Sequence, residues 1–246
     1  ISYHHGFVRV TDPLYGFEVE ITSKNNIDDL VESILMERNN MPYGDAHFKT
    51  SRLSPDPKRK LILDYAGITN GLRKNRRHKP GRAFENVHFN VSIKLPIGEI
   101  RDIRRHRILT NLDPISFTHE KGFFISPVLK EVGLEEELLS AYHKLGSTYD
   151  RLEEKTNPFV ATSALPLAAY QWMNLIINFR ELHHILELRT QPGAHINYKR
   201  VCQMIGVGIY EHINGIGRDT LKFIDASTEI DYGRAVQELR TMRKQK

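Results

Sequence analysis

Residues 87–95 are the stretch that most constrains the fold. Val87, Phe89, Val91, Ile93 and Leu95 occupy alternate positions, which puts one face of a strand into a core. Pro96 ends the run, because it has no N–H to give to a ladder. The basic tripeptide Arg105-His106-Arg107 follows a few residues later, so its cations are held near an element end, where a phosphate can be bound. A second polar segment, Asn178-Phe179-Arg180, echoes it far downstream.

The chain of 246 residues is long enough to bury one sizeable core, and it reads as a single domain over 1–246, with room for a small subdomain. Its 40% apolar and 26% charged residues are ordinary for a globular protein. A formal charge of +5 favours an anionic partner, leaving nucleotides, nucleic acid and acidic surfaces open. The single Cys202 excludes an internal disulfide and a multi-cysteine zinc site, and its apolar neighbours Val201, Met204 and Ile205 mark it as a packed thiol. A reducing, cytoplasmic setting follows from this cysteine usage as the expectation. The apolar stretch from Ala164 to Phe179 is too short and too polar to span a bilayer, and a buried helix is expected there.

Alternation over Gly6–Thr11 and Phe17–Ile21, around Asp12-Pro13 and Tyr15-Gly16, predicts a hairpin. Helical spacing predicts helices over Ile27–Glu37, Leu61–Leu72, Ala164–Glu187 and Lys199–Ile213, and a final amphipathic helix after Gly215–Gly217. The Asn-, Pro- and Gly-rich stretch 39–57 reads as a loop that can serve as a lid. Glu131–Lys155 reads as an amphipathic structural helix with Leu134, Leu138, Leu139, Tyr142 and Leu145 on one face. The pattern is α+β: a small sheet with a helical bundle.

Arg73, Lys74, Arg76, Arg77, Lys79 and Arg82 form the densest positive run. Such a run is a solvated face or a site for phosphate, from a nucleotide or a nucleic-acid backbone. No aromatic residue interleaves it, so the stacking platform of single-strand binders is missing and nucleic acid is not favoured. Glu181, His184 and Glu187 share a helical spacing seen in metal bundles, but such sites need a second copy that the chain lacks, so no metal is expected. Neither a Gly-rich dinucleotide motif, a P-loop nor a nucleophile elbow occurs.

The segment Phe84-Glu85-Asn86 through Lys94-Leu95-Pro96-Ile97, followed by Arg105-His106-Arg107, resembles the flavin-dependent thymidylate synthases, the ThyX family. Gly6–Val10 is similar to the family's first strand. Leu165-Pro166-Leu167, Asn178-Phe179-Arg180-Glu181-Leu182 and Leu188-Arg189 resemble its second signature region. The resemblance implies a ThyX-like fold and a homotetramer with active sites between subunits. It implies an FAD enzyme that moves a methylene group from methylenetetrahydrofolate to C5 of dUMP, with NADPH as reductant. The implied cofactor contacts are Glu85, His106, Arg107, Ile108, Asn178, Arg180 and His184. The implied substrate contacts are Arg105, Asp113, Ser116 and Arg189, with Arg189 stabilising charge during the C5 chemistry.

The chain departs from the family pattern chiefly where the nucleotide would lie. Ile115 stands at the signature serine, with Ser116 one residue late; Asp113 replaces Glu, and Phe117-Thr118-His119 lacks the following arginine. Asp102 stands in place of Gln, Thr162 in place of a phosphate-binding Arg, and Gly193–Asn197 replaces a further motif. The flavin-facing positions are mostly kept, so the expectation is C5 methylation of a pyrimidine nucleotide in a rebuilt pocket, with the basic run 73–82 as a source of replacement cations. The alternative is a silent homologue that serves as a nucleotide- or nucleic-acid-binding or assembly module; a flavoprotein of unrelated redox chemistry is a third reading.

Overall fold

The computed structural model describes residues 1–4, 7–112, 114–191, 193–210, 212–227 and 242. Six strands hydrogen-bond in one sheet in the order β1-β2-β3-β4-β6-β5. They are β1 (Ser2–His4), β2 (Phe7–Asp12), β3 (Phe17–Thr22), β4 (His88–Pro96), β5 (Thr110–Leu112) and β6 (Tyr170–Asn178). With the helices below, this is the expected α+β architecture. β1 runs antiparallel to β2, with Tyr3 opposite Val8. The hairpin of β2 and β3 is as predicted, and Asp12 Oδ1 accepts from the Leu14 N–H at 3.0 Å to shape its turn. No described helix is long and apolar enough to cross a membrane.

The chain divides into two compact units, one of Ile1–Val10, Glu20–Val91 and Ile176–Lys246, the other of Thr11–Val19 and Ser92–Leu175. In the first, α1 (Ile27–Asn39) buries Leu30, Val31, Ile34 and Leu35, and Asn26 and Asp29 form a capping box at its start. It packs on α2 (Tyr43–Ser51) and α3 (Pro55–Tyr65). Stretch 39–57 is therefore not the expected loop. Its loop-like residues act as helix punctuation: Asn40 ends α1 in the left-handed conformation, Pro42 caps α2 and Pro55 opens α3. The helix expected to run to Leu72 stops at Tyr65, because Gly67 at φ 77° takes the chain out of it.

Ala164–Glu187 is also corrected. It holds the strand β6, which then turns into helix α8 (Phe179–Arg189). Gln171, Met173, Leu175 and Ile177 are buried on alternate positions, but Trp172 and Ile176 between them are apolar too and hide the period of two. Phe179 begins α8 at the centre of a fully buried aromatic cluster, 5.1 Å from Phe84 and 5.3 Å from Phe89 between ring centroids. Helix α9 (Ile196–Ile209) packs on α8. It also comes so near β3 that a Cβ on Gly208 would lie 2.6 Å from Ile21 Cδ1. The region after Gly215 gives α10 (Ile216–Thr220); the rest of the expected final helix falls mostly outside the described residues.

The second unit has its own aromatic core, where Phe17 lies 5.3 Å from Tyr15 and 5.6 Å from Phe124. Tyr170 donates its hydroxyl to the Tyr15 carbonyl. Helix α4 (Ile97–Ile103) buries Ile97, Ile100 and Ile103 and leads into the basic tripeptide. After the short α5 (Pro127–Glu131) comes α6 (Glu135–Lys155), whose expected apolar face is only partly covered. Leu134 and Leu139 are exposed at 40% each. The helix docks by its second half, burying Gly146 and Tyr149, and the Tyr149 hydroxyl donates to the Phe117 carbonyl at 3.0 Å. Helix α7 (Pro158–Ala161) packs beside it.

Candidate functional site

In the first unit the site is built on α8. Asn178 caps the helix, its side-chain carbonyl accepting from the Glu181 N–H at 2.8 Å. Residues 180, 184 and 188 recur at helical spacing on one face, while 183 and 187 share the face turned to the core. On the outer face Arg180 donates from Nε to the Pro80 carbonyl at 2.9 Å and from Nη1 to Glu85 at 3.2 Å. Two expected cofactor contacts, Glu85 and Arg180, thus meet in an ion pair that Arg82 joins at 3.3 Å. Farther along this face, half-buried His184 and Leu188 line a cavity of about 390 Å³ together with Arg76, Arg77 and Lys79. Arg189, at the end of α8, sets its guanidinium 5.3 Å from the Tyr198 ring centroid.

The inner face of α8 holds a charged network that sequence spacing did not reveal. Glu187 is fully buried and paired with Arg73, whose side chain is 1% exposed. Arg73 also donates to the Thr220 carbonyl, and from Nε to the His78 carbonyl at 3.0 Å. Lys79 reaches Glu187 at 3.5 Å. Burial pulls Arg73 below the usual arginine range and pushes Glu187 above the usual carboxylate range, each opposed by the other's charge. The run 73–82 is therefore not one solvated face: Arg73 is an internal tie, whereas Arg77 and Lys74 are exposed. The same contact commits Glu187, one of the three residues at metal-like spacing, to a guanidinium. The available signal was that Glu187 lies four residues from His183, on its buried side.

His183 is fully buried, with Nδ1 2.7 Å from the Phe179 carbonyl and Nε2 3.0 Å from the Thr220 hydroxyl. Burial and the charges of Arg73 and Lys79 hold its pKa well below the ordinary histidine value. In the neutral ring Nδ1–H donates to the Phe179 carbonyl, while the Thr220 hydroxyl donates to the Ile216 carbonyl at 2.8 Å. Cys202 is fully buried and its thiol is pushed up by burial, as expected of a packed cysteine.

In the second unit Arg105, His106, Arg107 and Ile108 form a turn directly after α4, with the His106 N–H donating to the Ile103 carbonyl at 3.0 Å. His106 is buried at 8%, Arg105 and Arg107 are exposed, and Ile108 is 67% exposed. Arg105 lies 3.4 Å from Asp102. Ile115 is 85% exposed, Ser116 is half-buried, and Asp113 lies outside the described residues. Thr162 spends its hydroxyl on the Pro158 carbonyl at 2.9 Å.

The family described as thymidylate synthase complementing protein, Thy1, matches residues 41–212. The chain belongs to that family. Two UPF0159 proteins are similar to it: one of Chlamydia pneumoniae, 33% identical over 171 residues and 68% of this chain, and one of Chlamydia muridarum, 34% identical over 190 residues and 77%. These matches cover 31% and 34% of the relatives, so the chain spans about a third of their length. Among solved structures, the UMP/dUMP methylase PolB of Streptomyces cacaoi bound with 5-Br dUMP aligns with a TM-score of 0.59 at 18% identity. It covers 87% of this chain and 96% of PolB. The same enzyme bound with 5-Br UMP gives a TM-score of 0.62 at 16% identity, with the same coverage. The chain therefore shares its fold with PolB.

Proposed function

We propose that this chain methylates a pyrimidine nucleotide at C5, using FAD, with methylenetetrahydrofolate as carbon donor and NADPH as reductant. The observation that carries the reading is the retention of the family's basic turn as an exposed element, Arg107 beside a 67% exposed Ile108, in a chain of the Thy1 family. The PolB structures, described as those of a UMP/dUMP methylase, support the nucleotide class.

The residues present suit a flavin. An exposed guanidinium next to an exposed branched apolar side chain offers a fork for phosphate oxygens and a surface for a ring. Arg180 keeps Nη1 and Nε on fixed partners, Glu85 and Pro80, so its guanidinium plane is set in advance. Glu85, His106, Asn178 and His184 are assigned to the cofactor with them. Bound FAD would supply the hydride and group-transfer chemistry. The protein's part is position and charge: Arg105 and Ser116, with Asp113, hold the nucleotide, and Arg189 stabilises negative charge that develops on the pyrimidine. The expected assembly is a homotetramer with active sites between subunits.

The test is the visible spectrum of the purified protein after removal of excess FAD, followed by titration with pyrimidine nucleotides. Retained flavin bands that shift with one nucleotide support the enzyme, and Arg180→Ala should then lower flavin content while Arg189→Ala retains flavin and loses turnover. A protein that neither retains nor takes up FAD overturns the reading in favour of a binding module.

A further inference from the structure

We propose that the cavity lined by Arg76, Arg77, Lys79, His184 and Leu188 is a polyphosphate site, which takes the phosphates beyond the first of a pyrimidine nucleoside di- or triphosphate. The inference rests on the proposed function for its nucleoside and on the cavity for its phosphates.

Three cations face one space there with no acidic residue in the lining. Like charges so placed repel, and an anion between them removes the penalty. Among the described residues no carboxylate pairs with Arg76 or Arg77, in contrast to Arg73 three and four residues before them, and the Lys79 contact to Glu187 is long at 3.5 Å. Burial pulls Lys79 below the usual lysine range against the opposing charges of Glu187 and Glu181, and a bound polyanion would draw it further up.

The loop is also built to hold this arrangement. Arg73 fixes one end through its buried guanidinium and through its N–H, which donates to the Gly67 carbonyl at 2.9 Å. At the other end Pro80 takes the Arg180 Nε–H, and Gly81 packs so tightly on the Tyr65 hydroxyl that no Cβ would fit. Between them Asn75 makes an internal turn, its side chain accepting from the Arg77 N–H at 2.9 Å and its carbonyl from the His78 N–H at 3.1 Å. A solvated charge run needs none of these ties.

Size and composition select the ligand. A cavity of about 390 Å³ exceeds what one phosphate group fills, and falls at the small end of ligand clefts, ~300 to 1,000 Å³. Its lining offers three cations, one imidazole and one aliphatic side chain, which suits a chain of phosphates better than a base. The positions where the family resemblance would put polar and cationic phosphate contacts hold Asp102, paired with Arg105, and Thr162, bonded to Pro158. Cations for extra phosphate charge are thus displaced in this chain to the loop 73–79.

The flavin's own pyrophosphate has the same chemistry, so the experiment separates the two sources. Calorimetric titration of the FAD-loaded protein at low salt compares dUMP, dUDP, dUTP and inorganic pyrophosphate. Affinity is expected to rise about tenfold or more from dUMP to dUTP, and pyrophosphate is expected to compete with dUTP. The Arg76→Gln/Arg77→Gln double variant should lose that rise, and an Arg76→Lys/Arg77→Lys variant should recover part of it. Both keep Arg73, so an unchanged thermal midpoint checks the fold. Equal affinity for dUMP and dUTP overturns the proposal, as does a double variant that loses FAD while keeping the preference for dUTP. A preference for dUTP that depends on Arg76 and Arg77, in a protein that methylates none of these nucleotides, supports the site and counts against the proposed reaction alone.

Discussion

Helix α8 and the turn 105–108 carry the two signature segments, and they treat their polar groups differently. On α8, Asn178 already caps the helix, Arg180 already bonds Glu85 and Pro80, and the reverse face buries an Arg73–Glu187 pair. In the turn, Arg107 and Ile108 stand out into solvent on a backbone held by the last bonds of α4. Side chains on α8 therefore have a structural task before any ligand arrives, whereas in the turn only Arg105, paired with Asp102, has one beside the exposed Arg107 and Ile108. Substitutions should divide accordingly, with those at the cap and on the buried face of α8 reading out as stability and those at Arg107 and Ile108 as binding.

The largest effect is expected at Arg73. Arg73→Ala leaves the buried Glu187 with only the longer Lys79 contact and should cost about 3 to 5 kcal/mol, measured by urea unfolding. The double variant Arg73→Met/Glu187→Leu should recover much of that loss, because it removes both buried charges and keeps apolar volume. Equal stability of the single variant and the wild type would mean that the inner face of α8 does not depend on this pair.

Next comes acidity. His183 is neutral in the folded state and its folded pKa lies below the unfolded value near ~6.5. The unfolded chain then binds the extra proton as pH falls, so the contribution of this group is complete above about 6.5 and is lost progressively below it, at no more than about 1.4 kcal/mol per pH unit. His212, which burial also holds below the ordinary value, acts in the same direction. Unfolding curves at pH 7.5 and 5.5 for wild type and His183→Gln test it. The variant should show the smaller acid loss, and an identical loss would assign the titration elsewhere. Smaller still is Asn178→Ala, which removes the cap of α8 and should cost about 1 kcal/mol.

What could be read from the sequence follows the same division. The strand at Val87–Leu95 and the hairpin were visible because their apolar residues alternate against polar ones, and the basic turn because its residues are contiguous. Strand β6 was misread because the apolar Trp172 and Ile176 stand between its buried positions and hide the alternation, so that the run imitates a helix. Helix α2 and the first turns of α3 were missed because Asn40, Pro42 and Pro55 are loop residues by composition and cap residues by position. At the site, Glu85 and Arg180 were named by family resemblance alone; that they bond each other depends on chain separated by 95 residues coming together. Arg73 was counted with its exposed neighbours for the same reason, since its partner Glu187 lies 114 residues away.

Arg107→Ala gives the smallest stability effect and the sharpest test of the contrast. Its side chain is exposed, so truncation should change unfolding free energy by no more than about 0.5 kcal/mol. If the guanidinium meets a flavin phosphate, the same change should weaken FAD binding by roughly tenfold or more, the scale of one charge-assisted hydrogen bond. The loss should shrink as salt is raised, because the phosphate contact is screened. Stability and flavin affinity measured on one preparation then place the residue. A variant that unfolds early would show that the turn has a packing task like that of α8. One that keeps both its stability and its flavin would remove Arg107 from the cofactor site and leave Arg180 as the arginine on which cofactor binding depends.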